Sequence, residues 1–353
     1  MLLIYYTRAY NETMNKDTLT NTVRSLVMQG KGILAADESI GTIKKRFDAI
    51  NIPSTPQTHA AYREMLFSTN GIEQHISGVI LFEETLLQND SHGTPFPTLL
   101  SSKGIIPGIK VDLGTTDLPE TRQEKITLGL DKLQERIAFY KTKGARFAKW
   151  RAVFTITHET PTDAAIEENA RVLAEYALIC QKHDIVPIVE PEVVREGDHS
   201  SATCAEVTTR VQRMVFAELV KHEVFLPGIL LKPNMITPGA DSTEDVSAAS
   251  VASQTIAVLK NTTDPSVGGV VFLSGGEEPE QAADYLNEMN KSEGLPWKLT
   301  FSFGRALQDE ALHAWAGESH QIEHAQQLFA RRVRLTSLAS TGNYNLEMEK
   351  EAI

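Results

Sequence analysis

The chain has 353 residues, 41% of them hydrophobic and 23% charged, with a formal net charge of -12 at pH 7. That length can bury a sizeable core, and the acidic balance lacks the basic footprint that sequence-independent binding to nucleic acid requires. The two cysteines, Cys180 and Cys204, form no CxxC pair, which argues against a disulfide scaffold or a structural zinc site and fits a reducing, cytoplasmic setting.

The first 13 residues read out of register with a globular start. "MLLIYY" is too short for a signal-peptide core and lacks a basic leader, and no apolar run reaches the roughly 18 residues of a membrane span. Met14, just ahead of a helical stretch, is an alternative start to Met1. The stretch "DTLTNTVRSLVMQG" predicts a leading helix closed by Gly30. Eight short apolar runs follow: "GILAADES" (32–39), "GVILFEE" (78–84), "IIPGIKVD" (105–112), "RFAKWRAVF" (146–154), "IVPIVEPEV" (185–193), "GILLKPNM" (228–235), "GGVVFLSGG" (268–276) and "LTFSFGR" (299–305). Each is of strand length and rich in Ile, Val, Leu or Phe.

Helical patterns fill the intervals. Ile166, Ala170, Leu173 and Tyr176/Ala177 repeat at helical spacing over 163–182, behind Thr162 or Asp163 as a cap. Residues 244–260 and 277–290 read the same way, and 277–290 opens on acidic residues suited to a helix N-terminus. Residues from about 306 give further helices, then the acidic tail "GNYNLEMEKEAI", expected to be mobile. No linker divides the chain, so 1–353 reads as one domain: a barrel core over about 31–307, with C-terminal helices and tail over about 308–353. Near-continuous apolar strands alternating with helices mean a parallel sheet covered by helices. Eight such units predict an α/β fold, a closed (β/α)8 TIM barrel. The competing open sheet usually announces itself with a Gly-rich turn after its first strand, and no GxGxxG follows one in this chain.

Such barrels carry their chemistry at the C-terminal strand ends. In this chain those ends hold Asp37, Lys110, Lys149 with Arg151, Glu190 with Glu192, Lys232, Ser274-Gly275-Gly276 and Arg305. Alternate residues share a face, so Lys149 and Arg151 point the same way, with Trp150 opposite, and Glu190 and Glu192 also share a face, with Pro191 between them. Charges at inward positions must be paired or functional, because burying them alone is costly. A lysine hemmed in by cations and apolar walls is biased toward the neutral amine that attacks a carbonyl. That is imine chemistry, and a carboxylate such as Glu190 suits its proton transfers. A second carboxylate such as Asp37 could handle the proton exchanged when a carbon–carbon bond breaks. The glycine turn after the seventh strand and Arg305 at the eighth lie where barrels often bind phosphate. Ser39, Thr42, Lys45 and Arg46, after the first, offer a second phosphate site. The implied substrate is a carbonyl sugar bearing one or two phosphates, and the imine itself serves as electron sink, with no metal or organic cofactor.

The motifs "GKGILAADES", "PGIKVD", "FAKWRAV", "VPIVEPE", "ILLKPNM", "FLSGG" and "TFSFGRALQ" resemble those of the class I fructose-1,6-bisphosphate aldolases, in order, from about residue 20 to about residue 345. The resemblance implies reversible cleavage of fructose 1,6-bisphosphate to dihydroxyacetone phosphate and glyceraldehyde 3-phosphate, in glycolysis and gluconeogenesis. It implies Lys232 as the Schiff-base lysine and Glu190 as the acid/base for the carbinolamine. Asp37 would assist cleavage, with Lys149 and Glu192 in the same cluster. It further implies Ser274, Gly275, Ser302, Gly304 and Arg305 around the phosphate on the dihydroxyacetone side, and Lys110, Ser39 and Thr42 around the distal one. Lys45, Arg46 and Arg151 would be further substrate contacts. A homotetramer follows from the resemblance alone.

Two departures stand out. Many animal members end in a tyrosine, whereas this chain ends "EKEAI" and its last tyrosine is Tyr344. "GGEEPEQ" stands where many relatives carry Gln-Ser. Rival readings are a Schiff-base aldolase preferring fructose 1-phosphate or sedoheptulose 1,7-bisphosphate, and a non-catalytic scaffold on the same fold. His320 and His324 have a metal-ligand spacing, but they lie after the barrel, and none of the eight strand ends shows a histidine.

Overall fold

A computed structural model describes residues 14–121 and 123–350. Within them, ten strands run in chain order: β1 (Gly32–Ala36), β2 (Ile76–Leu81), β3 (Ile106–Lys110), β4 (Thr115–Asp117), β5 (Lys125–Thr127), β6 (Phe147–Phe154), β7 (Val186–Val193), β8 (Leu230–Leu231), β9 (Val270–Phe272) and β10 (Leu299–Phe303). Eight of them close a parallel barrel in the order β1-β10-β9-β8-β7-β6-β3-β2, and β4 and β5 form a separate antiparallel pair. Each of the eight apolar runs supplies one barrel strand. The run around Lys232 is the shortest in strand form, because Pro233 has no N–H to continue the ladder.

Helices cover the barrel. Those used below are α1 (Lys16–Leu26), α2 (Ile40–Asp48), α3 (Pro56–Ser68), α4 (Glu83–Leu87), α5 (Phe96–Ser102), α6 (Leu133–Thr142), α7 (Asp163–Lys182), α8 (Ser201–Lys221), α9 (Ala248–Thr262), α10 (Pro279–Asn290), α11 (Arg305–Trp315) and α12 (Ile322–Ala339). Six of these twelve begin behind a side-chain cap. Thr162 Oγ1 accepts the N–H of Ala165 at the head of α7, and Ser39 Oγ accepts that of Thr42 at the head of α2.

Two cores result. A large one lies between barrel and helices, with Trp150, Tyr62, Tyr176 and Phe272 fully buried. A smaller one fills the barrel and contains Ile33, Ala35, Ile80, Phe147, Val186, Ile188, Leu230 and Val271. Helix α1 belongs to the second core: Leu19, Val23 and Leu26 pack onto it, so the leading helix is the barrel floor. Gly108 makes room for the Phe147 ring, with which a Cβ would collide.

The acidic tail differs from the free segment expected of it. Tyr344 is 3% exposed, its N–H donates to Asn287 Oδ1 at 2.9 Å, and its hydroxyl donates to Glu349 Oε1 at 2.8 Å. Glu349 also accepts from Arg332 on α12 at 2.8 Å and pairs with Arg331 at 3.4 Å. Two arginines and a buried ring thus hold the tail as far as Lys350.

Candidate active site

The interior rows of the barrel lead into the site. Ile33 and Ala35 are followed at the same period by Asp37, Phe147 by Lys149 and Arg151, Val186 and Ile188 by Glu190 and Glu192, and Leu230 by Lys232. A period of two keeps each row on the inner face, so the apolar core gives way to charge one layer up. Register aligns the rows. Lys110 pairs with Lys149 across β3 and β6, Arg151 with Glu190 across β6 and β7, and the Lys232 N–H donates to Val189 O at 2.8 Å.

Every site residue named from the sequence lines one cavity of about 950 Å³ at this end of the barrel. At its base, Lys232 Nζ lies 3.0 Å from Glu190 Oε1. Glu190 Oε2 lies 3.3 Å from Lys149 Nζ, which is 2.8 Å from Asp37 Oδ2. The four groups form an alternating chain of charge, nearly sealed from solvent. Burial would raise the Asp37 carboxyl, but Lys149 and then Lys232 outweigh it and hold the group below the ordinary aspartate range. Glu190 is likewise held low: burial opposes, and Lys149, Lys232 and Arg151 prevail. Burial would lower the Lys149 ammonium, but Asp37 and Glu190 raise it well above the usual lysine value. Lys149 therefore stays charged between two carboxylates.

Higher up, Arg151 donates through Nε to Glu192, and Lys110 Nζ donates to Asp112 O at 2.8 Å and to the Asp112 carboxylate. On the β9–β10 side, Gly275 and Gly276 adopt φ of +60° and +87°, conformations that glycine reaches without strain. The Glu277 N–H donates to Ser274 O at 3.0 Å and closes this turn. Arg305 opens α11 exposed on the cavity wall, with no carboxylate partner among the described residues. Ser302 Oγ is buried and lacks a hydrogen-bond partner among them. Free backbone amides at a helix start, an unpaired guanidinium and an orphaned hydroxyl together suit an anion.

Ser39, Thr42 and Lys45 follow β1, the neighbour of β10 in the barrel, and line the same cavity. Arg46 lines it too, but its guanidinium is taken up by Glu38 and Asp309. Glu38 also receives Arg63 Nη2 at 2.6 Å. Both neighbours of Arg46 are thus already neutralising it, whereas Lys45 stands exposed, with no carboxylate partner among the described residues. Glu38, Asp112, Arg195 and Glu196 line the cavity as well, beyond the residues that the motifs pointed to. Glu38 was visible in "AADES", but its partner Arg63, and Asp309 as the second partner of Arg46, lie too far along the chain to announce themselves.

The family model for class-I fructose-bisphosphate aldolase matches residues 18–353. The chain is 51% identical over 328 residues to fructose-bisphosphate aldolase 1 of Toxoplasma gondii, spanning 92% of this chain and 90% of that one. It is 50% identical over 329 residues to cytosolic fructose-bisphosphate aldolase 5 of Arabidopsis thaliana, spanning 93% and 92%. The fructose-bisphosphate aldolase of Plasmodium falciparum, solved in complex with TRAP and a small-molecule inhibitor, matches with a TM-score of 0.92 at 47% identity, over 94% of this chain and 97% of that one. Identity at this level, along nearly the whole length and on the same barrel, fixes the descent of the molecule: the chain belongs to the class I fructose-bisphosphate aldolases.

Proposed function

We propose that the chain cleaves fructose 1,6-bisphosphate reversibly to dihydroxyacetone phosphate and glyceraldehyde 3-phosphate, with Lys232 as the imine-forming residue. The observation that carries this reading is the buried chain from Lys232 through Glu190 and Lys149 to Asp37, with links of 3.0, 3.3 and 2.8 Å. Lys232 Nζ attacks the C2 carbonyl of the open-chain sugar. Glu190, within reach of that nitrogen, takes its proton and returns one to the carbinolamine hydroxyl, which leaves as water. Asp37 takes the C4 hydroxyl proton. The C3–C4 bond breaks, its electrons flow into the iminium, and glyceraldehyde 3-phosphate departs. The remaining enamine is protonated at C3 and hydrolysed to dihydroxyacetone phosphate and free Lys232. The iminium is the electron sink, so the balance closes without a metal or organic cofactor. Lys149 keeps the two carboxylates ionised and in place, and Glu192 holds Arg151 at the rim.

Ser274, Gly275, Ser302, Gly304 and Arg305 would hold the phosphate beside the imine. Lys110, Ser39, Thr42 and Lys45 would hold the distal one. A cytoplasmic location is in keeping with a cytosolic relative at 50% identity, and a homotetramer rests on family resemblance.

Borohydride reduction in the presence of dihydroxyacetone phosphate, followed by peptide mass spectrometry, tests the assignment. The expected adduct is on Lys232. An adduct on Lys149 or Lys110 would overturn the roles assigned to these lysines. Relative turnover on fructose 1,6-bisphosphate, fructose 1-phosphate and sedoheptulose 1,7-bisphosphate fixes the preferred sugar.

A further inference from the structure

We propose that Arg195 is a further phosphate-binding side chain of the catalytic cavity, and that Glu277 is the residue that positions it. The inference rests on the reading of Ser274-Gly275-Gly276 as the loop that binds substrate phosphate.

Arg195 follows β7 and lines the cavity. It also lines a small crevice whose wall includes Ser274, Gly275 and Glu277. Its Nε lies 3.0 Å from Glu277 Oε1, with the arginine side chain 30% exposed and the glutamate side chain 3% exposed. That contact is an ion pair; the hydrogen bond of Nε goes to Pro238 O at 3.3 Å. The two terminal guanidinium nitrogens have no protein acceptor among the described residues. One edge of the fork is therefore fixed from beneath, while the other is left for an anion at the cavity wall.

Glu277 has a single cationic partner, Arg195, among the described residues. A carboxylate this buried is costly unless paired, so its placement commits it to that arginine. Burial pushes the carboxyl up, with Arg195 pulling against it. The backbone makes the link stiff. Glu277 closes the glycine turn through its N–H to Ser274 O at 3.0 Å, and Arg195 O accepts the Ala240 N–H at 2.7 Å. Gly239 passes so close to Gly197 O that a Cβ would collide with it. The loops after β7, β8 and β9 thus meet at one ion pair, which lies beside the turn that faces the substrate. Glu196 also lines the cavity and carries the opposite charge; it is Arg195, tied to the turn itself, that adjoins the phosphate side. Glu278 and Pro279 cap and open α10, so Glu277 is not needed to start that helix.

Arg195→Ala is expected to raise KM for fructose 1,6-bisphosphate about tenfold, the worth of one charge-assisted hydrogen bond, with kcat within about twofold. Glu277→Ala should raise KM nearly as much, and Glu277→Gln, which keeps an oxygen beside Nε, should recover most of the loss. The Arg195→Ala/Glu277→Gln double variant, which leaves no unpaired charge, should match Arg195→Ala and covers the case in which a single variant fails to fold. Borohydride trapping with dihydroxyacetone, which has no phosphate, should be unchanged in all of them. Arg305→Ala serves as control for the phosphate loop. If it raises KM while Arg195→Ala and the double variant do not, Arg195 has no such role. If it too leaves KM unmoved, the reading of the loop fails. Loss of trapping with dihydroxyacetone would make the pair merely structural and overturn the proposal.

Discussion

Oε1 of Glu190 lies 3.0 Å from Nζ of Lys232, and both side chains are almost wholly buried. A carboxylate so placed can accept the amine's proton and later return one to a departing hydroxyl. Glu190→Gln keeps a polar partner and removes the proton transfer. We expect kcat to fall about 10²–10⁴-fold with little change in KM. The rate of borohydride-trappable adduct formation at Lys232 should fall in step. A normal trapping rate would place the dehydration step on another group.

Lys149 serves Asp37 and Glu190 at once. Lys149→Met leaves two buried carboxylates with one lysine fewer, and breaking such a pair costs about 3–5 kcal/mol near neutral pH. The pH dependence follows from the direction of each shift. Asp37 and Glu190 are depressed in the folded protein, so their contribution is full above their unfolded values and lost as pH falls through the folded ones. Lys149 is raised, so its contribution is full below its unfolded value and lost as pH climbs through the folded one. The stability gap between parent and variant should be widest between about pH 5 and pH 9 and narrow below about pH 4. Urea midpoints across that range measure it, and a gap independent of pH would mean that packing rather than charge has been lost.

Neighbouring cations on α2 should behave in opposite ways. Arg46 sits between Glu38 and Asp309, so Arg46→Ala should cost about 3–5 kcal/mol in urea unfolding by leaving Glu38 under-neutralised. Lys45 is exposed on the cavity wall. Lys45→Ala should leave stability within about 0.5 kcal/mol and raise KM for the bisphosphate about three- to tenfold. Reversal of the two patterns would exchange their roles.

Tyr344 does not line the cavity. Its ring is buried against α10 and its hydroxyl bonds Glu349. Tyr344→Ala should destabilise by about 3 kcal/mol through loss of a buried ring, while kcat of the folded enzyme at low temperature stays at the parent level. Thermal melting and initial rates separate the two effects. A fall in kcat without a fall in melting temperature would tie this tyrosine to the proton transfer at the enamine.

Much of the barrel could be read in advance because charge interrupts apolar runs at their ends. Asp37, Lys149, Glu190 and Lys232 each follow inward-facing aliphatic or aromatic residues at a period of two, and that break places them at the mouth. The β4–β5 pair was not legible: three residues per strand, all of β4 exposed, leave no alternation to detect. Arg46 looked like a phosphate ligand beside Thr42, since nothing local shows that Asp309 comes back to meet it. Glu277 looked like part of a helix opening, but helix capping falls one residue later, and the side chain turns inward to an arginine on another loop. The tail looked free from its acidity, yet Arg331 and Arg332 on α12 make that acidity the means of attachment. For the side chains, the missing information was a partner elsewhere in the chain.

The floor helix sets where this enzyme can be handled. Asn15, just ahead of α1, donates its N–H to Asp184 Oδ1 at 2.9 Å, on the side from which β7 enters the barrel. At about 3.3 Å per residue, Glu190 stands roughly 13 Å further along β7 than Val186. A surface linker attached at the exposed Asp17 of α1 therefore leaves from the end opposite Lys232. Immobilised by that end, the molecule keeps its mouth turned toward the solution, and sugar phosphates reach it unobstructed.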